Sequence, residues 1–195
     1  METGMAGFAH KATTADSTYL VTIEEYDLYC HYVAGLVGKG LSRLWPASAK
    51  EAGWLKYQLE LSNSMGLLLQ KTNIIRDYRE DCDDQRFFWL MEIWGEYEFK
   101  EIEEMSKPEN EEWASLAQSG MILDALRHAT DALDYLRLLK NQSVFNFCAI
   151  PATIAMATLE LCSMNKDMFQ QNIKIRKAAA AKVRSLFFFP VWNPI

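Results

Sequence analysis

Apolar residues in this chain recur at steps of three and four and nowhere alternate singly over the length of a strand. Gly and Pro are too few to break these runs often, so the pattern predicts helix throughout and an all-α fold. Glu24–Arg43 reads as the first helix, capped by the Thr22 hydroxyl and ended before Pro46. Its Gly35 and Gly38 lie one turn apart, which weakens the helix but admits a close neighbour, either another helix or a ligand. Ala49–Asp81 predicts a long second helix with Gly53 as its weak point. A polar loop, Cys82–Arg86, leads to a short aromatic-rich helix over Phe87–Glu98. Pro108 opens a helix over about Asn110–Lys140, and Val144–Met164 and Lys166–Arg184 follow as further helices. The acidic run Glu101–Glu112 reads as a solvated face or a linker.

The second helix carries the chemistry. Asn63, Gly66, Gln70, Asn73 and Asp77 share one face, and Glu80 and Asp81 extend it. Around that stripe stand Met65, Leu67, Leu68, Leu69, Ile74 and Ile75. A helix apolar on its other sides is buried, so a single polar stripe faces a polar surface or a cavity. Asp77 and Asp81 repel each other at this spacing and call for a cation. Carboxylates on one helix face suit Mg²⁺, which takes hard oxygen ligands and shares them with substrate phosphates. The competing reading is plainer: Lys71, Arg76 and Arg79 are close in sequence and would neutralise the acids as surface ion pairs. On the first helix Tyr29, Val33, Val37 and Leu41 follow the same four-residue step and would line one face. His31 has no carboxylate or metal partner in sequence and reads as structural.

Composition narrows the class. The 195 residues amount to one domain, half of them hydrophobic, with a net charge of −6 and a pI near 5.2. That balance excludes a nucleic-acid binder, which needs clustered basic residues. Cys30, Cys82, Cys148 and Cys162 show no zinc spacing; three of them sit in apolar runs, and the pattern suits a reducing compartment. The opening METGMAGFAHKATT has no continuous apolar stretch of the secretory kind. Val144–Leu161 is the most apolar window, yet it holds Asn146 and Pro151 and falls short of the roughly 20 residues a membrane span needs. On these grounds the chain reads as soluble and cytoplasmic.

Four longer segments add a resemblance: YCHYVAGLVGKGLSRLW at Tyr29–Trp45, NSMGLLLQKTNIIRDYRED at Asn63–Asp81, NQSVFNFCAIP at Asn141–Pro151 and KIRK at Lys174–Lys177. In order and spacing the chain resembles the squalene synthases of the squalene and phytoene synthase family, over residues 5–177. The resemblance implies the isoprenoid-synthase helical bundle, with a domain at 1–177 and a divergent tail at 178–195. It implies head-to-head condensation of two farnesyl diphosphates through presqualene diphosphate, with NADPH reducing the product to squalene. Asp77, Glu80 and Asp81 match the family's second aspartate-rich motif, which holds Mg²⁺ and the substrate diphosphate. Gln70 and Asn73 would orient that site, and Arg76 and Arg86 match arginines near the diphosphate. Tyr29 takes the place of the family tyrosine implicated in the first half-reaction. Val33, Phe145, Phe147 and Cys148 would shape a dry pocket, with Phe147 facing cationic intermediates.

Lys174, Arg176 and Lys177 match a basic segment proposed to help bind NADPH, with Ala178 where the family usually has glycine. The family's first aspartate-rich motif belongs upstream of residue 5, so the chain is expected to be a middle portion, incomplete at both ends. The expected partner is farnesyl diphosphate, with pairing to a full-length homologue or to itself through bare apolar faces. The family's setting is the cytosolic face of the endoplasmic reticulum membrane. The alternative is a paralogue that binds a prenyl diphosphate, or a partner chain, without turnover.

Overall fold

The structure is a computed structural model that describes residues 4–8, 10, 20–175 and 181. No strand occurs among the described residues, in agreement with the all-α expectation. Helix α1 spans Ile23–Cys30 and begins as expected at Thr22, whose side chain accepts a hydrogen bond from the Glu25 amide. Glu25 reaches back to the Val21 amide at 2.9 Å, so donors at this helix start are met from both sides.

A π-helical turn, His31–Gly35, follows, closed by the Leu36 amide on the His31 carbonyl. Helix α2, Leu36–Ala47, continues from it with Pro46 inside its last turn, not beyond its end. A proline so near the terminus removes only one bond of the ladder. The expected start of the next helix at Ala49 is instead the cap of this one. Ala49 sits in the left-handed region at φ 56°, with the Lys50 amide on the Trp45 carbonyl and the Ala49 amide on the Pro46 carbonyl.

A 3₁₀ turn at Gly53–Tyr57 leads into α3, Leu59–Arg76, the central helix of the molecule. It packs against the π turn, α2 and three later elements: α6 (Glu111–Leu126), α7 (Ala129–Leu138) and α8 (Gln142–Cys162). The close approach foreseen at Gly35 and Gly38 is to this helix. A Cβ on Gly66 would lie 2.6 Å from the Ala34 carbonyl oxygen, and one on Gly38 would overlap the Ser62 carbonyl oxygen. None of the described glycines has a positive φ, so these are needed for nearness and not for turning.

The ladder bends at Asp77 (φ −90°, ψ 12°) before α4, Tyr78–Asp83. Phe87–Leu90 is irregular, with Leu90 extended, contrary to the helix expected there, and only Met91–Trp94 (α5) is α-helical. Trp89 and Leu90 are both fully buried, and the Trp89 indole donates to the Ile74 carbonyl in the last turn of α3. The expected Asn110–Lys140 helix is two, α6 and α7, broken where Arg127 and His128 turn toward buried acids. The acidic run before it holds the turn Ile102–Ser106, whose Ile102 and Met105 are core residues, so it is no free linker.

Helix α8 starts on the Asn141 side chain, which accepts from the Ser143 and Val144 amides. At 21 residues it has the expected length, shifted two residues toward the N-terminus, and by length and composition it could cross a membrane. It packs on α3, and its buried residues include Val144, Cys148, Ala152 and Ala155, while about a third of its most apolar window is buried. Of the helix expected over Lys166–Arg184, the described residues form a 3₁₀ turn at Lys166–Phe169 and irregular chain to residue 175, with Ala181 helical; the remainder lies outside the described residues. The tail at 178–195 falls, but for Ala181, outside the described residues. All four cysteines are free and buried; the sequence suggested this for Cys30, Cys148 and Cys162, whereas Cys82, expected to open a polar loop, is buried in α4.

Candidate active site

An apolar cavity of about 200 Å³ opens between α2, α3 and α8. Val33, Val37 and Leu41 line it from one side, Met65 and Leu69 from α3, and Phe147 and Cys148 from α8. Burial pushes the Cys148 thiol up to about 12, with Glu51 adding to the shift, so the sulfur stays neutral in this wall. Phe147 is more than half exposed and meets Trp45 edge to face at 5.6 Å.

Tyr29 does not share this cavity, although it precedes Val33 by one helical step. The π turn between them adds about a residue per turn and rotates the two faces apart. Tyr29 lines a neighbouring cavity of about 190 Å³ with Phe8, Arg86 and Phe88. Its ring stacks on Phe88 at 5.4 Å and meets Phe8 edge to face at the same distance. Burial pushes the phenol up to about 12; Cys30 and Asp81 push the same way and Arg86 opposes them. At neutral pH Tyr29 is a proton-bearing donor.

The acids lie at the bend and in the turn after it. Asp77 is half-buried and gripped by Arg76 through two bonds of 2.7 and 2.6 Å. Asp81 takes Arg86 at 3.0 Å, and Arg86 also reaches Asp84 at 2.9 Å. Burial nevertheless raises Asp81 to about 6; Arg86 opposes this, and the repulsion of Asp77 supports it. Glu80 is exposed and receives Asn172 at 3.4 Å. Gln70 is half-buried and Asn73 exposed along the same helix. Arg79 pairs with Asp83, outside the acidic stripe.

These residues fit a hard cation in a limited way. Burial raises Asp81 to about 6 although Arg86 lies beside it, and the charges of Asp77 and Glu80 add to the rise, so a cation placed among these acids would favour its charged form. No group of three or more His, Cys, Asp or Glu able to hold a metal occurs among the described residues. An ion here would therefore rest on one or two carboxylates and complete its shell with water and ligand oxygens, the usual mode of Mg²⁺.

Two sequence expectations land elsewhere, and a third falls mostly outside the described residues. Phe145 lies two residues from Phe147, about 200° around the helix, and faces another groove beside Leu133 and Leu136. Lys174 is exposed, and Arg176 and Lys177 lie outside the described residues. Lys71 is no surface neutraliser. It is fully buried on the opposite side of α3, bonded to Asp27 at 2.5 Å and Asp124 at 2.6 Å, with its ammonium 4.8 Å from the Tyr26 ring centre. Its neighbours Leu67 and Ile75, four residues either way, are apolar and buried, which was the available signal. His31 bonds Asn63 across the helix contact at 2.5 Å, consistent with a structural role.

The model of the squalene/phytoene synthase family matches residues 1–179. The chain belongs to the squalene/phytoene synthase family. A squalene synthase of Ganoderma lucidum is 60% identical over 94% of this chain and 41% of its own length. Those of Schizosaccharomyces pombe and Homo sapiens are 51% and 49% identical, over 94% and 92% of the chain and 40% and 41% of their own lengths. Solved complexes of TcSQS with the ligands BPH1237 and E5700 superpose with TM-scores of 0.87 and 0.86 at 41% and 42% identity. They cover 94% and 93% of this chain, and 53% and 52% of theirs. The chain thus has the helical fold of this family and spans about two fifths of the length of the curated relatives it matches.

Proposed function

We propose that this chain carries part of the active site of a squalene synthase. The activity is head-to-head joining of two farnesyl diphosphates through presqualene diphosphate, followed by NADPH reduction to squalene. The observation that carries the reading is an apolar cavity between α2, α3 and α8 in a chain that also sets a proton-bearing phenol with Arg86, itself paired to Asp81, in a second cavity. A prenyl diphosphate needs both: an apolar slot for its tail and a charged seat for its head.

Asp77 and Asp81 would hold Mg²⁺, with Glu80 at the rim. The ion would supply positive charge against the diphosphate. Arg76 and Arg86, now folded onto the acids, suit the same phosphates as forked donors. Gln70 and Asn73, one and two turns before the acids, would orient the head group. Tyr29 carries its proton at neutral pH and can give it, or a hydrogen bond, to an oxygen leaving near Arg86. The ring face of Phe147, with Val33 and Cys148 beside it, keeps water from a positive centre and stabilises it electrostatically. NADPH binding at Lys174, Arg176 and Lys177 is supported by the family likeness of that segment. For the cellular setting, α8 is long and apolar enough to cross a membrane and also packs on α3, and placement at a membrane is carried by the family alone.

The test is product analysis with farnesyl diphosphate, Mg²⁺ and NADPH, comparing the chain with Asp77→Asn and Tyr29→Phe. Squalene that disappears in Asp77→Asn, and presqualene diphosphate that fails to form in Tyr29→Phe, support the assignment. A folded chain that binds farnesyl diphosphate and releases it unchanged would replace the synthase with a binding protein.

A further inference from the structure

The site is built on two separate helices. α1 brings Tyr29, whereas α3 and its continuation bring the acids. The side chain that bridges α3 to α1 itself, beside the His31–Asn63 bond just past its end, is Lys71. Its ammonium is fully buried and bonds Asp27 on α1 and Asp124 on α6, while Arg127 closes the other side of both acids at 2.6 Å to Asp124 and 3.4 Å to Asp27. His128 stands 4.0 Å from Asp27, and Tyr26 lies under the ammonium. Two cations thus face two anions, one of each sign drawn from a different helix. Asp27 and Tyr29 are two residues apart on α1 and point to roughly opposite sides. The N-terminal end of α1 is already fixed by Glu92, which accepts from the Ile23 amide at 2.8 Å. The Lys71–Asp27 bond fixes the end that carries Tyr29. α1 runs on through the π turn into α2 without a break, and the π turn offsets the faces on its two sides, so the Lys71–Asp27 bond acts on α1 together with that continuation.

We infer that Lys71 is a positioning residue: through Asp27 it sets the Tyr29 ring between Phe88 and Arg86, and so fixes the phenol relative to the acids carried by its own helix. The catalytic consequence rests on the synthase reading; the positional one does not. Tyr29 responds to any rotation of α1, because its ring is stacked on Phe88 from a different segment. Lys71 and Asp27 touch neither cavity, so they act only through that placement.

The experiment labels the chain with tyrosine carrying ¹³C at Cζ and assigns Tyr29 by its loss in Tyr29→Phe. Asp27→Ala favours the helix by propensity and leaves the Lys71–Asp124 pair in place. It should move the Tyr29 resonance, as should Lys71→Met; Lys71→Arg should restore most of its position, and Lys39→Met at an outlying surface pair should leave it alone. In turnover, Asp27→Ala should lower kcat for presqualene diphosphate formation roughly 10- to 100-fold at unchanged KM, and should slow Tyr29→Phe no further. A folded Asp27→Ala chain with an unmoved Tyr29 resonance overturns the inference, and so does one that no longer folds, since the cluster would then serve stability alone. A moved resonance in a chain without synthase activity would leave the inference standing and remove the functional reading instead.

Discussion

Adding one methyl group at Gly66 or at Gly40 should change stability in opposite directions. Gly66 lies in the middle of α3, and a Cβ there would sit 2.6 Å from the Ala34 carbonyl oxygen, 2.7 Å from its carbon and 2.8 Å from the Gly35 Cα. All three are backbone atoms, so no rotamer change relieves them. The helices must part by ~0.8 Å to reach ordinary contact, which forfeits a quarter to a half of the dispersion well along that seam. Overpacking of this kind costs about 1–3 kcal/mol, and the upper half applies because only backbone can yield. Alanine returns about 1 kcal/mol of helix propensity. Gly66→Ala should therefore lose about 1–2 kcal/mol, or roughly 2–8 °C of Tm for a domain of this size. Gly40 lies inside α2 with nothing within 4 Å of an added Cβ. Gly40→Ala should gain about 0.5–1 kcal/mol from propensity alone. Urea melts of the two variants beside the parent chain measure the difference directly. A Gly66→Ala chain as stable as the parent would refute the claim that these glycines are kept for helix contact.

Lys71→Met should cost about 3–5 kcal/mol in a urea melt, since it strands Asp124 in the core with Arg127 as its remaining partner. Asp81 yields a pH prediction. Its folded pKa, about 6, lies above the ordinary carboxylate value, so the folded chain holds the proton more tightly than the unfolded one. Its contribution is most favourable below about pH 4 and is lost as the pH rises toward 6. The Tm advantage of Asp81→Asn over the parent should thus grow between pH 4 and pH 7 and then level off; a constant difference would contradict the assigned burial. Adding Mg²⁺ at about 100 times its Kd should raise the parent's Tm by roughly 5–10 °C at pH 7. The Asp77→Asn/Asp81→Asn chain should not respond, and an equal rise in both would place the ion elsewhere.

Much of the architecture was legible in one dimension because helical periodicity is local. The Thr22 cap, the all-α class, three of the four buried cysteines and the glycine contact all follow from residues within a few positions of each other. The acidic stripe was legible for the same reason, and so was the wall formed by Val33, Val37 and Leu41. What failed was continuity. The sequence carries no strong break signal at Asp77, at Arg127–His128 or at the π turn, so single helices were expected where the chain bends. Those bends are set by distant partners, such as the Trp89 indole on the Ile74 carbonyl.

The sequence by itself determined which residue types stand on which helical face, and through its long family segments where the phenol, the acids and the apolar wall belong. Only the tertiary structure decided which of these faces meet. It placed Tyr29 and Val33 in separate cavities across a π turn and sent Phe145 to the far side of α8. It also turned Lys71 from a neighbour of the acids into a buried tie between α1, α3 and α6. The reason is physical: side-chain direction along one helix is fixed by local geometry, whereas the partner of a buried charge is chosen by whichever opposite charge the fold brings within about 3 Å in a medium too apolar to leave it alone.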